Sequence, residues 1–277
     1  MRVAVVGTGN VGSALLYFLA TSTHVDEVFV MSRSETKSRA AILDVASACP
    51  AGAQKLVPAA YAQMGESDVV VLTSGATPDV VPDPQQLHAT NLAITEDILS
   101  QSRLGPSTIL ILLSTPVDDI TVFVQKRTGL PVSHVLGFGG DVDRNRLASI
   151  LLRRGMPIEG VNLVGEHGKR AIPVYPGEED YAEIAAQVRS YLATIIALAG
   201  PPKNLATAVL LGQLVESIAT DSQRTHNVCG YHPELGVYLT WPFVIGREGV
   251  VRPEAVHLGA RAQVDLEQLV AERRNKA

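Results

Sequence analysis

Short apolar runs alternate with amphipathic segments through the first half of the chain. Arg2–Val6 is a short β-branched run, and Ser13–Thr21 then carries Leu15, Leu16, Phe18 and Leu19 at helical spacing. Val28–Met31 predicts a second strand. Lys37–Ser47 predicts a helix with Ala41, Ile42 and Val45 on one face. Val69–Thr73 and Thr108–Leu113 predict two further strands, with a helix over Leu87–Gln101 between them. Apolar strands joined by helices are buried on both faces and run parallel. The expected fold class is therefore α/β: a Rossmann doubly wound parallel sheet, followed by a mixed α+β catalytic domain.

The regularity weakens near Ser114–Asp118, so the dinucleotide-binding domain is drawn over residues 1–117 and the catalytic domain over 118–277. In the second half Val161–Val164 predicts a strand, and Tyr181–Leu198 and Leu205–Ala219 predict helices. Val237–Val244 and Gly249–Val251 predict strands. Leu266–Arg274 predicts a closing helix whose basic last turn suits the helix dipole. The Pro-rich stretch Thr77–Pro84 reads as a loop inside the first domain.

Composition narrows the function classes. Over 277 residues the chain is 46% hydrophobic and 18% charged, as expected of a folded protein. A net charge of -5 gives no broad field for nucleic acid or an anionic membrane. No uninterrupted apolar run approaches the 18 residues of a membrane span. Two distant cysteines, Cys49 and Cys229, show no ligand spacing, so no metal site is indicated. A cytoplasmic protein acting on a small molecule is expected.

Gly7-Thr8-Gly9-Asn10-Val11-Gly12 follows a strand and opens a helix. Gly7 allows the tight turn, Gly9 lets backbone approach a pyrophosphate, and Gly12 lets helix and strand pack closely. The phosphates then sit on the amides of Asn10, Val11 and Gly12 at the helix N-terminus. An acidic residue about 20 positions later would hold the ribose hydroxyls of NAD. That place holds Ser32-Arg33-Ser34, with Lys37 beyond. Two hydroxyls, a guanidinium and an ammonium favour a 2′-phosphate, and so NADP(H).

Gly165-Glu166-His167-Gly168 and Asp143-Arg144-Asn145-Arg146 supply the candidate chemistry. A histidine can exchange the proton that accompanies hydride transfer to a carbonyl. A carboxylate on its second ring nitrogen would fix its tautomer. Arg146 can grip a substrate carboxylate with two parallel hydrogen bonds. Asp118-Asp119 reads as an acidic helix start, Glu166 as a holder of backbone, and Trp241 as core or interface.

In this ordered set the chain resembles the lactate/malate dehydrogenase family. The resemblance runs through the glycine loop, Ser74-Gly75-Ala76, Asn91, Ser114-Thr115-Pro116-Val117-Asp118, Asp143 and Arg146, Gly165–Gly168 and Val215-Glu216-Ser217-Ile218. It implies His167 as proton donor and acceptor, Asp143 as its orienting partner and Arg146 as carboxylate anchor. It places Ser74, Gly75, Ala76, Asn91 and Thr115 beside the cofactor, and implies a homodimer or homotetramer. The chain departs from the family in three places. Thr77–Pro84 has no arginine where the family's mobile loop carries them, Pro78 and Pro84 standing opposite. Thr115 replaces an asparagine. Lys169 replaces an aspartate, and the following interval is short. The expectation is an NADP(H)-dependent reductase of a carbonyl, or an imine, in a non-standard substrate, as in specialised metabolism. Val80 and Val81 would suit an apolar substituent, Asp79 or Asp83 a cationic one, and Lys169 and Arg170 would restore positive charge. Ordinary malate or 2-hydroxy-acid dehydrogenase activity is one alternative. A cofactor-binding sensor, or a non-redox catalyst such as a cyclase, is another.

Overall fold

The computed structural model describes residues 1–78, 80–200 and 204–276. The first half lays down β1 (Arg2–Val6), α1 (Asn10–Thr21), β2 (Glu27–Met31), α2 (Glu35–Ala48), β3 (Leu56–Pro58), β4 (Val69–Leu72), α3 (Pro84–Ser100), β5 (Ile109–Leu112), α4 (Val117–Thr128) and β6 (Val135–Phe138). The six strands are parallel in the order β3-β2-β1-β4-β5-β6. This is the doubly wound arrangement that the apolar runs predict.

Side-chain alternation explains why helices cover both faces. Val3, Val5, Val69, Val71, Ile109 and Ile111 point into one core with Leu15, Leu16 and Leu19 of α1. Ala4, Val6, Val70, Leu72, Leu110 and Leu112 point into the other, with Ile98 and Leu99 of α3 and Ile120 and Val124 of α4. The chain leaves β1 for β2 and β3 on one side, then crosses to β4 on the other. The carboxyl ends of β1 and β4 therefore open a crevice at the topological switch point, where this architecture binds ligands.

The second half adds α5 (Gly140–Arg153), β7 (Asn162–Gly165), β8 (Ala171–Val174), α6 (Tyr181–Ala199), α7 (Leu205–Thr220), β9 (Arg224–His232), β10 (Val237–Gly246), β11 (Gly249–Pro253) and α8 (Ala260–Lys276). β9 pairs antiparallel with β6, and β10, β7 and β8 continue the same sheet. The parallel part of the sheet thus reaches Phe138, past the residue 117 drawn from the sequence. Residues 135–138 include Gly137, which interrupts the apolar run that marks the other strands.

By length and composition α6 is one helix apolar enough to cross a bilayer. Its Tyr181, Ile184, Ala185 and Val188 nevertheless lie in the core with β8 and α5. Trp241 is buried as expected, its indole N–H donating to the Glu254 carbonyl at 2.9 Å. Cys49 and Cys229 are both free thiols.

Candidate active site

The glycine loop is built from backbone contacts. Gly7 takes a left-handed φ of +112°, and its N–H donates to the Met31 carbonyl at 2.8 Å, tying the ends of β1 and β2 together. A Cβ on Gly12 would lie 1.9 Å from the Gly7 carbonyl oxygen, so α1 can approach β1 only with glycine there. A Cβ on Gly9 would meet nothing within 4 Å. The loop is therefore open at Gly9 while closed at Gly7 and Gly12. The first amides of α1, those of Asn10, Val11 and Gly12, begin the helix beside that opening. This is the geometry a pyrophosphate needs, and the residues fit a dinucleotide.

The end of β2 decides which dinucleotide. The Ser32 hydroxyl does not point outward as expected. It donates to the Ser34 carbonyl at 2.6 Å and lies 3.0 Å from the Ser38 hydroxyl, closing its own turn. Ser32 thus shapes the loop, and Arg33, Ser34 and Lys37 are the groups left to meet a ligand. Glu35, the nearby acid, is paired with Arg39, and among the described residues neither Arg33 nor Lys37 has an ion-pair partner. Both are exposed.

Asn91 also departs from expectation. It is fully buried, and its amide is spent on the chain itself. Its Oδ1 accepts from the Ala76 N–H at 2.6 Å, and its Nδ2 donates to the Ala76 and Thr115 carbonyls at 3.1 and 2.7 Å. It therefore latches the Ser74-Gly75-Ala76 loop to the Thr115 loop rather than reaching a ligand. The Ser114 hydroxyl adds a second tie, donating to the Ser74 carbonyl at 2.6 Å. Thr115 itself is exposed at the mouth of this loop.

Asp143 and Arg146 stand on α5, and His167 stands in the turn between β7 and β8. Gly165 and Gly168, at φ +98° and +82°, let that turn fold tightly. A Cβ on Gly139 would lie 2.5 Å from the His167 ring, so the imidazole packs directly on the backbone that opens α5. His167 Nδ1 is 2.7 Å from Asp143 Oδ2, which also accepts the Gly168 N–H at 2.8 Å. Arg146 Nη1 donates to the other oxygen, Oδ1, at 2.8 Å. One fully buried carboxylate thus orients both candidate side chains. The carboxylate places the hydrogen on Nδ1 and leaves Nε2 for a substrate.

The electrostatics follow. Burial pulls the imidazole pKa of His167 down, but the charge and hydrogen bond of Asp143 outweigh it, so the pKa stands above its ordinary value. For Asp143 burial pushes upward, but His167, Arg146 and the Gly168 amide hold the carboxyl below its ordinary value.

Three groups around the histidine turn carry more than the sequence suggests. Asp118 does more than open α4, since its Oδ2 accepts the His167 N–H at 3.0 Å and its Oδ1 accepts the Thr240 hydroxyl at 3.2 Å. It thereby joins the loop after β5 to the catalytic candidate. Glu166 does not hold backbone with its side chain; it pairs with Arg273 of α8 at 2.8 Å and faces Arg170 at 3.5 Å. Arg170 is bound to Glu272 at 2.7 Å as well, so it does not restore charge to the site. Lys169 is exposed. Asp83 is likewise committed, as its carboxylate accepts the Gln86 N–H at 2.7 Å and caps α3, with Pro84 in the first turn. Asp79 lies outside the described residues.

A dinucleotide cradle at the switch point, joined through Asp118 to a histidine–aspartate pair, defines an oxidoreductase that uses a nicotinamide dinucleotide. Residues 1–137 match the family described as lactate/malate dehydrogenase, NAD binding domain. A malate dehydrogenase of Bacteroides thetaiotaomicron is 28% identical, over 94% of this chain and 91% of that protein. One from Heliobacterium modesticaldum is 26% identical, over 94% and 92%. One from Rhodopirellula baltica is 28% identical, over 91% and 88%. The chain is therefore similar along its length to the lactate/malate dehydrogenase family, at identities that mark it as divergent.

Proposed function

We propose that this protein is an NADP(H)-dependent reductase that acts on a carbonyl, or an imine, of a substrate other than pyruvate or oxaloacetate. The reading rests chiefly on one observation: Asp143 orients His167 and Arg146 together while leaving Nε2 of the histidine free. A reduced nicotinamide, when bound in the cradle, would supply the hydride. His167 donates the Nε2 proton to the substrate oxygen or nitrogen as the carbon gains that hydride. Asp143 stabilises the imidazolium before transfer and holds the neutral ring in place afterwards. The remaining guanidinium nitrogens of Arg146 anchor a carboxylate.

Arg33 and Lys37, without an ion-pair partner among the described residues, support the choice of NADP(H). The substrate reading rests on the loop chemistry. Thr77–Pro84 carries no cation to polarise a carbonyl, and the loss of such a donor costs about 2.7–4 kcal/mol of transition-state stabilisation. Exposed Val80 suits an apolar substituent there. A cytoplasmic homodimer or homotetramer is part of the same reading. The exposed Leu192, Ile196 and Leu198 of α6, with Leu205 and Val209 of α7, support association, which sedimentation checks.

The names of the relatives favour a second reading, ordinary malate dehydrogenase activity. Binding of NADPH and NADH to the purified protein, with Ser32→Asp and Arg33→Ala beside it, separates the readings first. NADPH should bind at least about tenfold tighter, the loss of one charge-assisted contact being worth about that much, and both variants should erase the preference. Equal or tighter NADH binding overturns the phosphate reading. Oxaloacetate turnover with kcat/KM in the range of about 10⁴–10⁸ M⁻¹s⁻¹ overturns the non-standard substrate.

A further inference from the structure

Tyr191 of α6 reaches the anchor arginine. The guanidinium carbon of Arg146 lies 5.6 Å from the centroid of the Tyr191 ring, and that of Arg153 lies 5.8 Å away. Arg146, Ser149 and Arg153 are spaced i, i+3 and i+7 along α5, so they form one stripe facing the tyrosine. At the phenol end, the hydrogen bond of Ser149, then that of Arg153, and the charges of Arg153 and Arg146 outweigh burial and lower the phenol pKa. The ring thus lies at cation–π distance from two guanidinium groups of α5, those of Arg146 and Arg153.

Arg146 has few other restraints. Among the described residues its one hydrogen bond is to Asp143, and its side chain is 17% exposed. A long side chain fixed at a single nitrogen keeps freedom about its terminal torsions, and ordering it on binding costs affinity. An aromatic ring at cation–π distance removes that freedom beforehand.

We propose that Tyr191 is a positioning residue that seats the Arg146 guanidinium for a substrate carboxylate. This rests on Arg146 being the carboxylate anchor. The chemistry of the seat is aromatic, so phenylalanine should serve and alanine should not. The ligand class is an organic acid whose carboxylate reaches the plane of Arg146 beside the ring.

The test is calorimetric binding of oxalate to the protein saturated with NADPH, in wild type, Arg146→Gln, Tyr191→Ala, Tyr191→Phe and the double variant Arg146→Gln/Tyr191→Ala. Tyr191→Ala should weaken oxalate about tenfold, the order of a partly desolvated cation–π contact, with NADPH affinity unchanged. Tyr191→Phe should stay within about threefold of wild type. The double variant should bind no worse than Arg146→Gln alone, because the two residues act through one contact. Where Arg146→Gln weakens oxalate and Tyr191→Ala does not, the seat is overturned and the anchor stands. Where Arg146→Gln leaves oxalate binding intact, or wild type binds none, the anchor and the seat both fall. Additive losses in the double variant also overturn the proposal, since they would mean that Tyr191 acts elsewhere.

Discussion

The first turn of α5 carries two aspartates, and each meets a histidine. Asp143 holds His167 at 2.7 Å, and Asp141 holds His226 at 2.8 Å. Both carboxylates also accept a backbone N–H, from Gly168 and from Asn227. The pairs differ at the far side of the ring. His226 Nε2 lies 2.9 Å from the Ser217 hydroxyl, inside a seam between α5, α7 and β9, and all three side chains are buried. His167 Nε2 has no hydrogen-bond partner among the described residues, and the side chain is 27% exposed. A carboxylate partner does not make a histidine chemical. The free nitrogen and the opening to solvent do. A serine–histidine–aspartate chain with all three side chains buried is a strut.

The largest expected effect falls on the open pair. His167→Ala should lower reduction by about 10²–10⁴-fold, the usual contribution of a positioned acid, while NADPH binding stays within a few fold. His226→Ala should spare turnover and instead cost about 3 kcal/mol of stability, through a cavity and an unsatisfied Asp141. Steady-state NADPH oxidation and urea unfolding on both variants check this. A folded His226→Ala enzyme that is dead would erase the distinction and show that the strut is coupled to the chemistry through α5.

The next effect sharpens the contrast by pH. His167 is held above its ordinary value, and Asp143 below its own. Reduction needs the protonated imidazole, so its rate should be full at lower pH and fall as pH rises through the raised pKa of His167. The contribution of the pair to stability is bounded on both sides. The His167 share is present below the unfolded histidine value and is lost as pH climbs through the folded one. The Asp143 share is present above the unfolded carboxylate value and is lost as pH drops through the folded one. Asp143→Asn should move the alkaline limb of kcat/KM for reduction to lower pH, because the charge that raised His167 is gone. It should also cost about 10²-fold in rate, through lost orientation. An alkaline limb that does not move would mean that another group sets it.

How much of this was legible follows from which contacts are local. The glycine loop announces itself because Gly7, Gly9 and Gly12 are read along one turn. Asp143 and Arg146 share one helical face at i, i+3. The partner of His167 is 24 residues away, and only resemblance to a family joins them. Asp118 looked like a helix start because its second role, 49 residues on, leaves no trace in spacing. β9 went unseen for a different reason. Arg224–His232 reads as polar, yet His226 and Asn227 are buried there because Asp141 and the Leu163 carbonyl satisfy them. The start of α8 was placed late, since the Glu178 carboxylate, 83 residues upstream, accepts the Arg261 and Ala262 N–H groups.

The smallest effect tests the strut itself. Ser217→Ala removes the hydroxyl that meets His226 Nε2 and nothing else of size. The ring nitrogen would be left buried without a partner, at a cost of about 1–3 kcal/mol. Alanine is the better helix former by a few tenths of a kcal/mol, and Ser217 lies in the interior of α7, so the net should be about 1 kcal/mol. For a chain of this size that lowers the melting temperature by about 2–4 °C. Turnover and its pH profile should not change, since the buried pair exchanges no proton with the site. A lower rate at an unchanged melting temperature would reverse the assignment: the serine would then be tuning a histidine that feels the reaction. A lower melting temperature at an unchanged rate leaves the two pairs as they stand, one packed for the fold and one left open at Nε2.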